Sequence, residues 1–262
     1  MDQPKDVMPS SATRKTVSLR QRLLAHSVHL YTASGVVFAF LAAAELYKPH
    51  PDPRWVFVWL IIAVFIDSTD GPLARRWQVK TFAPHIAGRT IDDIVDYLTF
   101  TFIPLILVWR MQWLPTPAGL WVAPAMMASL FGFANTGAKQ EEEGFFRGFP
   151  SYWNFVAFYI GIIHTHYGPA LPAVLMVVLT LMTILPVRFL YPNLAPRPWR
   201  WSLIAGAGVW LVVLLGCLPI YPNVPAWLLW LSLVYPAWYT GLSVYLDLKS
   251  RLRQRQSHPL LP

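Results

Sequence analysis

Charge is scarce in this chain of 262 residues: Asp, Glu, Lys and Arg together make up 13%, about half the usual share of a soluble domain. A water-facing surface over the whole molecule is thereby excluded. Cysteine is almost absent, and Cys217 alone cannot form a disulfide framework. The 14 glycines show no collagen-like period, and hydrophobic side chains at 55% exclude general disorder. What is abundant is apolar sequence, with a mean hydropathy of +0.43. The expectation is an all-α polytopic membrane protein.

Spans need about 20 mostly apolar residues, and eight segments qualify: Ser27–Leu46, Trp55–Ala74, Arg89–Met111, Leu120–Ala138, Trp153–Tyr167, Leu171–Val187, Trp201–Leu218 and Trp227–Leu248. Before them, Ser18–His26 mixes Leu19, Leu23 and Leu24 with Arg20 and Arg22 and reads as an interfacial amphipathic helix. Residues 1–17 read as a disordered tail, residues 18–248 as one transmembrane domain, and residues 249–262 as a basic cytoplasmic tail. No cleavable signal peptide is visible, since the first apolar run has no small-residue cleavage pattern behind it. Trp113, Trp121, Trp199, Trp201 and Trp227 fall near span ends, where interfacial aromatic belts are expected.

The net charge of +8 would suggest nucleic acid in a soluble protein, but its placement argues otherwise. Alternate loops and both termini carry 18 of the 21 Lys and Arg, leaving Lys48, Arg54 and Arg110 on the opposite side. By the positive-inside rule both termini are cytoplasmic, in agreement with an even number of spans. The basic residues then have a topogenic explanation, and no nucleic-acid partner is expected.

Five of the 13 acidic residues, Asp67, Asp70, Asp92, Asp93 and Asp96, cluster where the second and third spans join. An unpaired Asp at a span centre costs roughly 2.5–3.5 kcal/mol, so four at depth would cost on the order of 10 kcal/mol without compensation. Asp67 and Asp70 are i,i+3, and Gly88, Asp92 and Asp96 recur at i,i+4,i+8, so each helix presents one acidic face, from which Asp93 departs. Two such helices facing each other would make an oxygen-rich site for hard cations, Mg²⁺ or Mn²⁺. Gly71, Ala74 and Gly88 keep one wall low enough for a ligand to approach the backbone. The plainer alternative is that the aspartates flank loops and pair with Arg75, Arg76 and Arg89; phased spacing with small residues between them weighs against it.

The run Asp67-x2-Asp70-Gly71-x2-Ala74-Arg75, twelve residues, then Gly88-x3-Asp92-x3-Asp96 resembles the signature of the CDP-alcohol phosphatidyltransferases at all eight fixed positions. The intervening segment is longer than is usual in that family. This length, with Phe146–Phe155 (FRGFPSYWNF) and Arg188–Trp199 (RFLYPNLAPRPW), resembles the bacterial phosphatidylcholine synthase branch, in which choline is joined to CDP-diacylglycerol. The resemblance implies that Asp67, Asp70, Asp92 and Asp96 hold two divalent cations, that Gly71, Ala74 and Arg75 meet the CDP moiety, and that Asp96 is the general base. It also implies an inner-membrane location and a possible homodimer. Direct displacement without a covalent intermediate is the expected chemistry, with CMP leaving.

The acceptor is less legible. Choline is a cation suited to aromatic faces and carboxylates, and Tyr97, Tyr152, Trp153, Asn154, Arg188 and Tyr191 are the candidates for substrate contact. Glu141–Glu143 reads as a solvated loop face. His164 and His166 are i,i+2, which does not put them on one helix face, and Cys217 reads as core filling. Serine, inositol phosphate or glycerol phosphate acceptors, and the mirror reaction of CDP-choline with diacylglycerol, remain open alternatives. A cation transporter would also use intramembrane acids, but it predicts broken helices or a repeated half, and neither is visible.

Overall fold

The computed structural model describes residues 18–135, 137, 139–140, 144–192 and 194–257. Helices dominate: α1 (Leu19–Ala33), α2 (Gly35–Leu46), α3 (Pro53–Arg76), α4 (Val79–Phe82), α5 (Gly88–Asp96), α6 (Ile103–Arg110), α7 (Gly119–Ala134), α8 (Trp153–Tyr167), α9 (Ala170–Ile184), α10 (Arg197–Cys217) and α11 (Ala226–Ser257). A helix occupies each of the eight apolar segments. Among the described residues three helices are long and apolar enough to cross a membrane, Leu19–Leu46, Pro53–Arg76 and Arg197–Ile220, while Gly119–Ala134 and Ala170–Ile184 are apolar but shorter. With large side chains such as Phe40, Phe65, Phe131 and Val209 pointing outward, these helices are built to meet lipid, and the chain is a membrane protein.

The expected interfacial helix at Ser18–His26 is not a separate element. Nothing in the sequence breaks the helix at Ser27, so α1 runs into α2 through Ser34 as one 28-residue rod. Its start is capped by Gln21 Oε1, which accepts the Ser18 N–H at 3.1 Å. At the start of α3, Asp52 accepts the Arg54 N–H at 3.0 Å with Pro53 in the first turn. The Arg54 guanidinium beside it holds the Asp52 carboxyl below its usual range. The 24 residues of α3 rise about 36 Å, enough for a hydrocarbon core of about 30 Å.

Between α5 and α6, Tyr97–Phe102 forms a π-helical segment beginning immediately after Asp96. A wide turn shifts the phase of everything beyond it, so Thr99 and Thr101 turn into the interior while the acidic face ends at Asp96. No residue in this stretch announces the wide turn.

The all-α expectation holds, with one short sheet set among the helices. Lys139–Gln140 (β1), Phe145–Arg147 (β2) and Arg188–Leu190 (β3) form an antiparallel sheet in the order β1-β2-β3, with Phe146 opposite Phe189 and Arg147 opposite Arg188. Two loops distant in sequence satisfy each other's backbone groups this way. The acidic run Glu141–Glu143 lies outside the described residues.

The main core gathers Leu60, Leu105, Leu107, Trp153 and Ile160 from α3, α6 and α8. Trp113 belongs to it at 5% exposure, contrary to the belt expected for it, because the turn before α7 folds inward and the Trp113 ring packs against Tyr221 at 6.2 Å. Trp201 and Trp227 are exposed as the belt requires. Cys217 is buried core. A smaller cluster of Ala25, Val28, Val79 and Ala83 fastens α4 beneath α1, and so fixes the 77–87 crossover that follows the left-handed turn at Gln78 (φ 49°).

A second small core, Phe145, Leu190, Leu203 and Leu242, seats the sheet on α10 and α11. Beside it Arg188 is buried and paired with Asp247, which also pairs with Arg251 at 2.9 Å. Breaking a buried pair by removing one partner costs about 3–5 kcal/mol, so this contact latches α11 to β3.

Candidate active site

The acidic faces of α3 and α5 meet. One oxygen from each of Asp67, Asp70 and Asp92 lies within 4.8 Å of the others, an arrangement able to hold a metal ion. Asp70 is buried, and its Oδ2 accepts a hydrogen bond from Thr32 Oγ1 at 2.7 Å, which orients the carboxylate from the neighbouring α1. Tyr31 and Thr69 hydroxyls meet at 2.7 Å and tie the same two helices. The all-oxygen donor set suits a hard divalent cation. Asp96, one turn further along α5, stands outside this three-carboxylate group. Asp93 leaves the site as expected and meets Arg89 at 3.7 Å on the outer face.

Two cavities abut at these carboxylates. The larger, about 670 Å³, is walled by α1, the end of α3, the 78–87 crossover and the start of α5, and takes in Asp70, Gly71, Ala74, Arg75, Gly88 and Asp92. The smaller, about 260 Å³, takes in Asp67, Asp92 and Asp96 and is walled on the sheet side by Phe146 and Tyr191. Asp92 is common to both, so the acidic cluster forms the partition between them. Asp67 also reaches a third chamber of about 400 Å³, which is mainly apolar and passes Trp210, Leu211 and Tyr235.

Gly71 and Gly88 serve the large cavity differently. A methyl at 71 would meet only Arg75 Nη1, at 3.5 Å, whereas one at 88 would come within 2.7 Å of His29 Cε1. Alanine at 71 therefore gains helix propensity of up to about 1 kcal/mol, while alanine at 88 overpacks at a cost of about 1–3 kcal/mol. Thermal unfolding of the detergent-solubilised protein should show the two variants moving in opposite directions from wild type.

His29 itself was not legible as a site residue. It lines the large cavity, and its Nε2 is buried with no hydrogen-bond partner among the described residues. Its spacing of three from Thr32, which holds Asp70, is the only signal the sequence carried.

The substrate candidates divide. Tyr152 and Tyr191 line the 260 Å³ cavity. Tyr97 does not: its ring packs against Phe133 at 5.9 Å and its hydroxyl donates to the Met126 carbonyl at 3.3 Å, because one residue past Asp96 it lies about 100° round from the acidic face. Trp153 is fully buried core, its indole N–H donating to Ser129 Oγ at 2.7 Å. Asn154 is buried and faces a small apolar pocket with Phe57 and Leu60. Arg188 is held by Asp247 in the latch. The residues missed were Phe100, Phe133 and Phe146, which line the cavity with the two tyrosines. His164 and His166 contact the separate carbonyls of Trp113 and Val224, so they form no joint site.

The chain is 38% identical to the phosphatidylcholine synthase of Pseudomonas aeruginosa over 191 residues, covering 72% of this chain and 77% of that one. It belongs to the phosphatidylcholine synthase family. The Bradyrhizobium diazoefficiens phosphatidylcholine synthase is 36% identical, covering 73% and 70% of the two chains. That of Rhizobium meliloti is 33% identical over 227 residues, covering 84% and 88%. The chain matches no family model and no solved structure. As a member of this family it is an enzyme, a transferase of phospholipid synthesis.

Proposed function

We propose that this phosphatidylcholine synthase family member transfers the phosphatidyl group of CDP-diacylglycerol to choline, giving phosphatidylcholine and CMP. The observation that carries the reading is the partition itself: carboxylates stand between a large cavity edged by Gly71, Ala74 and Arg75 and a small one edged by Asp96 and aromatic rings. The CDP moiety lies in the large cavity, over the low floor at Gly71 and Ala74, with Arg75 on a phosphate oxygen. Choline enters the small one.

Two divalent cations, Mn²⁺ or Mg²⁺, held by Asp67, Asp70, Asp92 and Asp96, would neutralise the pyrophosphate and stabilise the departing CMP. Asp96 takes the proton from the choline hydroxyl as the oxygen bonds to the lipid-bearing phosphorus and the P–O bond to CMP breaks. An alcohol is a weak acid at neutral pH, so proton removal accompanies bond formation. Thr32 keeps Asp70 oriented throughout.

The eight helical segments span the bilayer with both termini cytoplasmic, which puts the acidic cluster near the cytoplasmic ends of α3 and α5. Lipid chains enter sideways between helices, since moving them through water carries a large hydrophobic cost. The location is a bacterial inner membrane, and homodimer assembly rests on the family resemblance alone.

The test is purified protein with CDP-diacylglycerol and radiolabelled choline. Label in phosphatidylcholine with equimolar CMP supports the reading. Product only with serine, inositol phosphate or glycerol phosphate, or only from CDP-choline and diacylglycerol, replaces it.

A further inference from the structure

The small cavity carries more than its position beside Asp96. Its walls bring together two pairs of rings from separate parts of the chain: Phe100 with Tyr152, centroids 5.9 Å apart, and Phe146 with Tyr191, 6.1 Å apart at 88°. Phe133 from α7 adds a fifth ring. Three carboxylates, Asp67, Asp92 and Asp96, line the same cavity. Phe146 and Tyr191 are brought to the cavity by the sheet, since β2 pairs with β3 and Tyr191 follows β3 directly.

A chamber whose described lining residues offer aromatic faces and acids suits a small cation whose charge cannot donate hydrogen bonds. Ring faces attract such a charge through their quadrupoles. The larger apolar chamber also has rings, but Asp67 is the only acid among its described lining residues.

We infer that Phe146 and Tyr191, presented by the β-sheet, are specificity residues that hold the trimethylammonium group of the acceptor, and that acceptor choice is made by charge as well as shape. This rests on choline transfer as proposed above. The two-carbon arm of the acceptor then directs its hydroxyl from the rings toward Asp96.

Steady-state kinetics on the full-length protein with choline and CDP-diacylglycerol test it. Tyr191→Leu and Phe146→Leu should each raise the KM for choline about 3- to 30-fold, the range one cation–π contact corresponds to, with the KM for CDP-diacylglycerol unchanged. Tyr191→Phe and Phe146→Tyr, which keep the ring, should restore the wild-type choline KM. Trp210→Leu, in the apolar chamber, should leave the choline KM unchanged. On wild-type protein, the uncharged isostere 3,3-dimethylbutan-1-ol should compete with choline at least about tenfold more weakly than choline binds.

Equal competition by the isostere overturns the inference even if the leucine variants fail to fold. So does a choline KM that responds to Trp210→Leu and not to the sheet residues, or a parallel rise in both KM values. If wild-type protein transfers no choline at all, the proposed function fails instead, and the two failures are distinguishable.

Discussion

Asp96→Asn lowers phosphatidylcholine formation by about 10²–10⁴-fold, the range removal of a general base commonly produces, with the unfolding temperature near that of wild type. Asparagine keeps the shape of the side chain and loses both the negative charge and the proton acceptor. The midpoint of that range is about 4 kcal/mol of transition-state stabilisation. Asp96 stands apart from the three-carboxylate group and faces the small cavity, so excess cation distinguishes the proposed role as base from a share in holding the ions. Raising the divalent cation concentration should rescue a variant weakened only in ion affinity and should not rescue Asp96→Asn. Recovery of near-wild-type turnover under excess cation would remove Asp96 from the role of base.

Chelation should abolish turnover and also lower the unfolding temperature, and Mn²⁺ or Mg²⁺ should restore both. Three ionised carboxylates within 4.8 Å repel one another by about 3–4 kcal/mol per pair at an effective dielectric of 20. That repulsion pushes α3 and α5 apart unless positive charge stands between them. A cation at about 100 times its dissociation constant adds about 2.7 kcal/mol of stability, which is readable as a thermal shift without any activity assay. Asp92→Asn, which removes the carboxylate common to both cavities, should lose turnover and most of that cation-dependent shift. An unfolding temperature indifferent to chelator and cation would exclude the ion site.

The acidic cluster was legible because its parts are local. Asp67, Asp70, Gly71, Ala74 and Arg75 lie on one helix, and Gly88, Asp92 and Asp96 on another. Helical periodicity converts such spacing into shared faces without knowledge of the rest of the fold. The helical segments were legible for the same reason, since length and hydropathy are properties of the segment itself. His29 and Thr32 were not, because their roles depend on which helix packs beside α3.

The lining of the small cavity was less legible because its rings come together from distant parts of the chain. Trp153, Asn154 and Tyr97 are close in sequence to cavity residues, but helical phase turns Trp153 and Asn154 into the core and Tyr97 off the acidic face. Arg188 could have served a phosphate, yet Asp247, 59 residues downstream, claims it. Phe146 and Tyr191 share a wall only because β2 and β3 pair across the intervening α8 and α9.

By itself, then, the sequence determined the membrane class, the helical segments and the two acidic faces, all consequences of periodicity and composition within single helices. Only the tertiary structure decided that three of the aspartates converge while Asp96 looks into a second cavity, and which rings line that cavity. Those outcomes depend on strand pairing, helix packing and one wide helical turn, which couple residues far apart in the chain and leave no period in it.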